Sequence, residues 1–489
     1  MSLQSSRRAF LKESSALTAT FLGLAGCSRF WPTTGHEVLW TGVPPLDGAL
    51  LFDEGSRERM AVDFGANFRR VPAAVLRPRS AQDVMTMVRY ADTHQLQVAM
   101  RGQGHSQYGQ TLVKDGIAID SASLNAVTVE PPGTVYAQAG ATWGDVTHAT
   151  LVHGLTLPAL GDTMSLSVGG ILSAGGIGNT SHRFGAVIDN VMELDVVTGA
   201  GELVNCSPER NRELFELALG GMGQCALIVG ARLRVVQAPA WVVRRELFYD
   251  DLAAFLSDLR LLATEREVDH VGATVVSRDD GKGFRFVLNV GKFSATPQVD
   301  FAPTEAGLRF DSRGDPLPVT YANYLQREAP RNAAFTAARL ETPRRLAYIT
   351  MFVPGSTIES FMRRILATPA DTKGFTRFSL YLLPTRKFSR PMFMLPREEF
   401  MCAIFLFRNV PASDEARYAE MVGTVRRLNL EMRELGGKAY PPYAPFYSSA
   451  DWELHYGSAW SRLNSGKRQF DPGSVLTPGM RMPVTGGPA

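Results

Sequence analysis

Cysteine is scarce in this chain, with 4 in 489 residues. Cys27 lies near the N-terminus, and Cys206, Cys225 and Cys402 are far apart. No Cys-x-x-Cys and no His/Cys cluster at metal-ligand spacing occurs, so a zinc site or redox dithiol is excluded and no metal is expected. An odd set does not build a disulfide framework; the three downstream cysteines read as small buried hydrophobes. An excess of one charge is also missing. A formal net charge of +3 offers no concentrated basic face, so no nucleic-acid partner is expected. The uncharged stretch from Ser14 to Gly26 is too short and too rich in small residues for a membrane span. Internal repeats and low-complexity tracts are absent. The length exceeds one ordinary core, which implies two or three domains.

What is present begins with a targeting pattern. Ser6-Arg7-Arg8-Ala9-Phe10-Leu11-Lys12 is a twin-arginine motif, and Leu24-Ala25-Gly26-Cys27 has the form of a bacterial lipoprotein box. Residues 1–27 are therefore read as a signal, with Cys27 as the acylated residue or as a bystander near a cleavage site. The expected location is periplasmic or cell-surface, with membrane attachment only through that anchor. Twin-arginine export carries folded proteins, often with cofactor inserted, which hints at a prosthetic group. Residues 28–55, rich in Pro, Gly and Thr towards their start, read as a tether.

The most informative stretch is Val98-Ala99-Met100-Arg101-Gly102-Gln103-Gly104-His105-Ser106. An apolar strand stops at two glycines and then presents an imidazole. Glycines permit positive φ and close approach of a bulky anion, and successive N–H groups in such a turn form an anion cradle. A ring nitrogen beside a phosphate cradle suggests a dinucleotide held by its pyrophosphate and by a covalent bond; the plain alternative is a surface histidine on a turn. The second dense signal is Leu160-Gly161-Asp162-Thr163-Met164-Ser165-Leu166-Ser167-Val168-Gly169-Gly170, continuing to Gly178 with six glycines in all. Either tight packing of elements or a flat aromatic cofactor lying over the backbone explains it.

Between and beyond these stretches, periodicity predicts alternating helices and strands. Ser80 caps a helix carrying Val84, Met87, Val88 and Ala91 on one face. Strands are expected at 97–100, 116–120, 134–140, 191–197, 203–206 and 226–236, with helices at 142–154 and 211–219. From about 240 to 430 glycine thins out. Helices at 250–265 and 412–435 and strands at 284–290, 346–352, 378–384 and 401–407 mark a second α+β unit.

Taken in order and spacing, these segments resemble the FAD-linked oxidases of the vanillyl-alcohol oxidase and p-cresol methylhydroxylase family, and within it the cytokinin dehydrogenases. The resemblance is carried by Arg101 to Ser106 with Gln110, Gly161-Asp162, Ser167 to Gly170, Leu172 to Ile177, Asn190 to Gly199, and Phe215 to Gln224. Trp452, His455-Tyr456-Gly457, Phe470-Asp471-Pro472 and Leu476-Thr477-Pro478-Gly479 carry it at the far end. It covers about 60–240 and 435–482 and is weak between them. It implies an α+β, two-domain, PCMH-type FAD-binding fold. An FAD domain would be formed by 56–239 and a C-terminal return segment at 436–489, with a substrate domain at 240–435.

The resemblance also implies roles. His105 would carry the covalent link to the flavin 8α carbon, with no second, cysteinyl link. Gly102, Gln103, Gly104, Ser106 and Gln110 would serve the pyrophosphate and ribityl chain. Ser167, Ser173 and Ile177 would line the diphosphate side and Ile228 the flavin, with Tyr447 and Thr477 closing the site. Met480 stands where the family often has Gln. Asp162 would be the catalytic base as well as a cofactor neighbour, its proton affinity raised by apolar Leu160, Met164 and Leu166. For a cytokinin-like secondary amine, hydride would pass to flavin N5 and the imine would hydrolyse to an adenine and an aldehyde. Glu267 and Asp269 are candidates for a purine-holding carboxylate, and Leu382, Leu383 and Pro384 for an apolar substrate wall. An alcohol, sugar or phenol substrate is the alternative, and a non-catalytic flavin-binding protein a further one. The electron acceptor would be oxygen, a quinone or a redox protein.

Overall fold

Short extended segments rich in Val, Ile, Leu and Ala build the first layer. β1 (Ala49–Leu51), β2 (Ala74–Arg77), β3 (Val98–Arg101) and β4 (Ile117–Asp120) form a sheet of order β1-β2-β4-β3. β4 runs parallel to both neighbours. Helix α1 (Ala81–Thr93) makes the crossover between β2 and β3, and the Ser80 side chain accepts from Asp83 N at its start. This computed structural model describes residues 40–130, 133–278, 281–480 and 482. The twin-arginine motif and Cys27 lie outside the described residues.

A second sheet follows from β5 (Val127–Glu130), β6 (Thr134–Gln138), β7 (Val191–Thr198), β8 (Leu203–Cys206) and β9 (Ala226–Arg234), in the order β5-β6-β9-β7-β8. α2 (Trp143–Leu151) opens with a reciprocal capping box between Thr142 and Asp145. α3 (Val168–Ala174) and α4 (Arg212–Ala218) pack on this sheet.

The chain then enters a ten-stranded sheet. Its centre is β10 (Trp241–Tyr249), β11 (His270–Ser277), β12 (Phe284–Ser294), β13 (Ile349–Pro354), β14 (Phe375–Pro384) and β15 (Phe400–Pro411), in the order β10-β12-β11-β14-β15-β13. α5 (Leu252–Thr264) packs on this sheet; α6 (Tyr321–Leu325) and α7 (Ala329–Glu341) follow it in the chain, and the long α8 (Glu415–Glu434) also packs on the sheet. α7 has no buried residue.

The tail comes back to the first sheet. Thr477 N donates to Val98 O and Val98 N to Val475 O, both at 2.8 Å. Asp471, fully buried, accepts from Val475 N and Leu476 N and so fixes the turn that makes this return. Val43–Ala489 group as one compact unit, and one apolar core runs from Val135 and Trp143 through Phe215 and Leu380 to Met480. Cys206, Cys225 and Cys402 are free and buried, as expected for small core residues. Among the described residues no helix is long and apolar enough to cross a membrane, and no cluster of His, Cys, Asp and Glu could hold a metal.

Candidate active site

The end of β3 sets the site. Gly104 adopts φ +67°, a conformation that side chains resist, whereas Gly102 is needed for space: a Cβ there would lie 1.9 Å from Ser167 Oγ. Positive φ therefore accounts for only one of the two glycines. The loop they form joins Ser167, Gly169, Gly170 and Ser173 in lining a cavity of about 370 Å³, whose wall includes seven glycines. Exposed backbone and hydroxyls in such number suit a ligand rich in hydrogen-bond acceptors, with phosphates near the N–H groups.

His105 lies in this wall, stacked on Phe64 with ring centroids 4.0 Å apart. Burial, with Arg339 adding to it, lowers its pKa to about 4, so the ring is neutral near pH 7. Tyr443 sits 2.9 Å from its Nδ1. Burial holds the Tyr443 phenol far above its usual range, so Tyr443 donates and Nδ1 is the unprotonated nitrogen, its lone pair accepting that hydrogen bond.

Asp162 stands farther along the same wall, and its side chain is only 14% exposed. Arg327 Nη2 lies 2.5 Å from Oδ1 and Arg377 3.8 Å from Oδ2. Asn179 Nδ2 donates to Oδ1 at 2.7 Å, and the Tyr381 hydroxyl donates to Oδ2. Burial pushes the carboxyl up, but Arg327, Arg377 and Tyr381 together outweigh it and hold Asp162 below its ordinary value. This corrects the expectation of raised proton affinity. The apolar sequence neighbours are real, but two guanidiniums from distant elements dominate.

The cavity brings together Gly102, Gln103, Gly104, His105, Ser106, Asp162, Ser167, Ser173, Ile177, Ile228 and Thr477. Gln110 and Tyr447 are not in its wall. The buried Gln110 amide is consumed by Tyr108 N and by Pro441 O, which ties the His105 loop to the tail. Tyr447 is drawn into a separate buried cluster, donating to Asn429 at 3.2 Å and meeting Trp452 edge-on; Tyr443, four residues earlier, occupies the wall instead. The Leu382–Pro384 segment is also displaced. Leu382 and Leu383 are core residues, and Tyr381 is the one that faces the cavity. Asp269 is paired with Arg183 and accepts from Phe293 N at 2.7 Å, while Glu267 is exposed; neither lines the cavity.

Residues not singled out from sequence complete the far wall: Arg331 and Phe335 from α7, Tyr348, Arg377 and Tyr381 from β14, and Phe405 from β15. The site thus divides into a glycine- and serine-lined trough and an aromatic compartment, with an ionised carboxylate at their junction.

Comparison with known proteins agrees with that division. A family model described as "FAD binding domain" matches residues 72–207, and one described as "Cytokinin dehydrogenase 1, FAD and cytokinin binding" matches 315–482. The chain is 33% identical over 441 residues to the uncharacterized oxidoreductase ORF5 in the fasciation locus of Rhodococcoides fascians, covering 89% of this chain and 99% of that protein. It is 30% identical over 486 residues to cytokinin dehydrogenase 9 of Oryza sativa subsp. japonica, covering 89% and 90%. Among solved structures, 6-hydroxy-D-nicotine oxidase from Arthrobacter nicotinovorans shares the fold with a TM-score of 0.68 at 20% identity, over 89% of this chain and 98% of that one.

Proposed function

The chain belongs to the family of FAD-dependent oxidoreductases that contains the cytokinin dehydrogenases, and we propose that it oxidises a cytokinin-like secondary amine at the carbon next to nitrogen. The single observation that carries this reading is the ionised Asp162 between trough and aromatic compartment. The cofactor is FAD, which when bound supplies the acceptor for a hydride. The trough fits it, because Gly102 and Gly104 line it where a side chain would collide with Ser167 or Arg101, leaving backbone exposed to the cavity. His105 Nδ1 would hold the group covalently. Gly102, Gln103, Gly104, Ser106, Ser167 and Ser173 would hold its polar chain, and Ile177, Ile228 and Thr477 would flank it.

In this reading the substrate N–H donates to Asp162. Loss of hydride from the adjacent carbon makes that N–H strongly acidic, so even a carboxylate of low proton affinity can take the proton. Arg327, Asn179 and Tyr381 keep the carboxylate oriented, and the aromatic wall keeps water from competing for it. The C=N product then adds water and splits into a primary amine and an aldehyde, which balances the two hydrogens removed. The reading extends to the sequence-based domain division, in which the two ends of the chain hold FAD and the middle holds substrate. It extends also to twin-arginine export with acylation at Cys27.

A substrate panel read by anaerobic bleaching of the flavin tests it. N6-isopentenyladenine and related secondary amines are expected to bleach the yellow colour. If they leave it unchanged while an alcohol, sugar or phenol removes it, the amine reading fails.

The charge network gives a pH prediction. In Arg327→Gln, burial of Asp162 is opposed by fewer positive charges, so its pKa rises. The acid limb of kcat/KM is expected to move to higher pH. Stability follows the same sign. A depressed carboxylate stabilises the fold above its unfolded-state pKa and loses that contribution as pH falls through its folded value. In both proteins the loss sets in below the unfolded-state value, about pH 4, but in the variant the contribution is smaller and its loss is complete at higher pH. An acid limb that stays in place would show that Arg327 does not govern Asp162.

A further inference from the structure

We propose that the substrate carries an anionic group, a phosphate or carboxylate, and that Arg331, backed by Arg377, receives it. The inference rests on the amine reading above and narrows its substrate class. Helix α7 carries Arg331, Phe335 and Arg339 at i, i+4 and i+8, which places them on one face. Arg331 and Phe335 line the cavity, and the Arg339 guanidinium lies 5.1 Å from the Phe64 ring centroid and 5.6 Å from that of Phe335. Arg377 joins the same wall from β14.

Three guanidiniums, those of Arg327, Arg331 and Arg377, thus gather around two carboxylates, Asp162 and Glu328. Arg327 is consumed by Asp162 at 2.5 Å. Glu328 is shared, at 2.5 Å from Arg331 and 3.5 Å from Arg377. Arg339, farther along the helix, feels a different carboxylate, Asp63. The local excess is therefore one positive charge beside an aromatic wall. Arg331 adds least to holding Asp162 ionised; it touches Glu328 and keeps 52% of its side chain exposed. None of these arginines belongs to the glycine segments at 102–106 and 167–178 that fit the cofactor. A planar, two-pronged cation at a cavity wall is the group that best receives a carboxylate or phosphate.

The test uses the FAD-loaded enzyme and two matched pairs. The first is N6-isopentenyladenosine against its 5′-monophosphate. The second is 9-ethyl- against 9-carboxymethyl-N6-isopentenyladenine. Binding of adenosine against adenosine 5′-monophosphate, read by perturbation of the flavin spectrum, provides a measurement independent of turnover. The anionic member of at least one pair is expected to be preferred by about tenfold or more, the scale of a charge-assisted hydrogen-bond pair. The pair that shows the preference identifies the anion. Arg331→Ala and Arg331→Gln should erase the preference, Arg331→Lys should keep part of it, and added salt should weaken it. Equal handling of neutral and anionic members, or a preference that survives Arg331→Ala and Arg331→Gln, overturns the proposal. If neutral amines bleach the flavin without any anionic preference, this inference fails and the amine reading stands. If no amine bleaches it, the amine reading fails, and the binding measurement still decides whether the anion subsite exists.

Discussion

Asp162→Asn is expected to leave the holoenzyme yellow and to slow its reduction by substrate by about 10²–10⁴-fold, the usual worth of a positioned general base. Asn has the shape of Asp and can keep its carbonyl oxygen towards Asn179 and Arg327, so the change removes charge and basicity rather than bulk. It also has a structural consequence. Arg327 and Arg377, 12% and 20% exposed in their side chains, lose their shared counterion. Breaking a fully buried pair costs about 3–5 kcal/mol, and partial exposure reduces that here. A lower melting temperature is therefore expected alongside the slower reduction. Single-turnover bleaching, normalised to bound flavin at a temperature where the variant is folded, separates the two effects. A normal single-turnover rate in folded Asp162→Asn protein would remove Asp162 from the chemistry.

Most of the trough was legible in the sequence because its signals are local. Glycines at 102 and 104 followed by His105, and the small-residue run ending at Gly178, each fold into one turn or one short helix, so neighbours in sequence become neighbours in the wall. Even the Ser80 cap and the buried cysteines followed from residue type and spacing. The aromatic compartment was not legible, because its partners meet across the fold. Arg327 and Asp162 are 165 residues apart, and Tyr381 and Asp162 are 219 apart. Arginines on a helix with no buried residue look like any solvated face until the helix is seen against a cavity. Tyr381 was within reach. In strand β14, residues 377, 379 and 381 share one face with period 2, and Arg377-x-Ser379-x-Tyr381 is the polar face, while Leu380 and Leu382 point to the core. The apolar run at 382–384 drew attention past Tyr381: Leu382 and Pro384 lie on the other face, and Leu383, on the same face, is buried. Gln110 and Tyr447 were displaced for a related reason: a motif position does not say whether a side chain meets ligand or neighbouring backbone, and both found partners inside the protein. The sign of the Asp162 shift had the same origin, since sequence neighbours report desolvation but not the charges that other elements bring.

The largest expected effect belongs to His105. Denatured, washed wild-type polypeptide from a fully loaded preparation should retain flavin fluorescence on a gel, and His105→Ala should retain none, its cofactor leaving on acid precipitation. The expectation follows from the state of the ring. Burial keeps it neutral, and Tyr443, which holds its own proton, donates to Nδ1 and so fixes the proton on the other nitrogen. The nitrogen lone pair that a covalent bond requires is therefore defined before any ligand binds, and the stack on Phe64 orients it. Loss of that stack costs about 0.5–1.5 kcal/mol, too little to unfold the chain. The trough contributed by Gly102, Gly104 and Ser167 remains in the variant, which should still fold and bind FAD reversibly. A wild-type band without fluorescence from a loaded sample would show that His105 only packs against the cofactor. The reading of Asp162 would stand in that case, because it depends on the junction between trough and compartment and not on the bond.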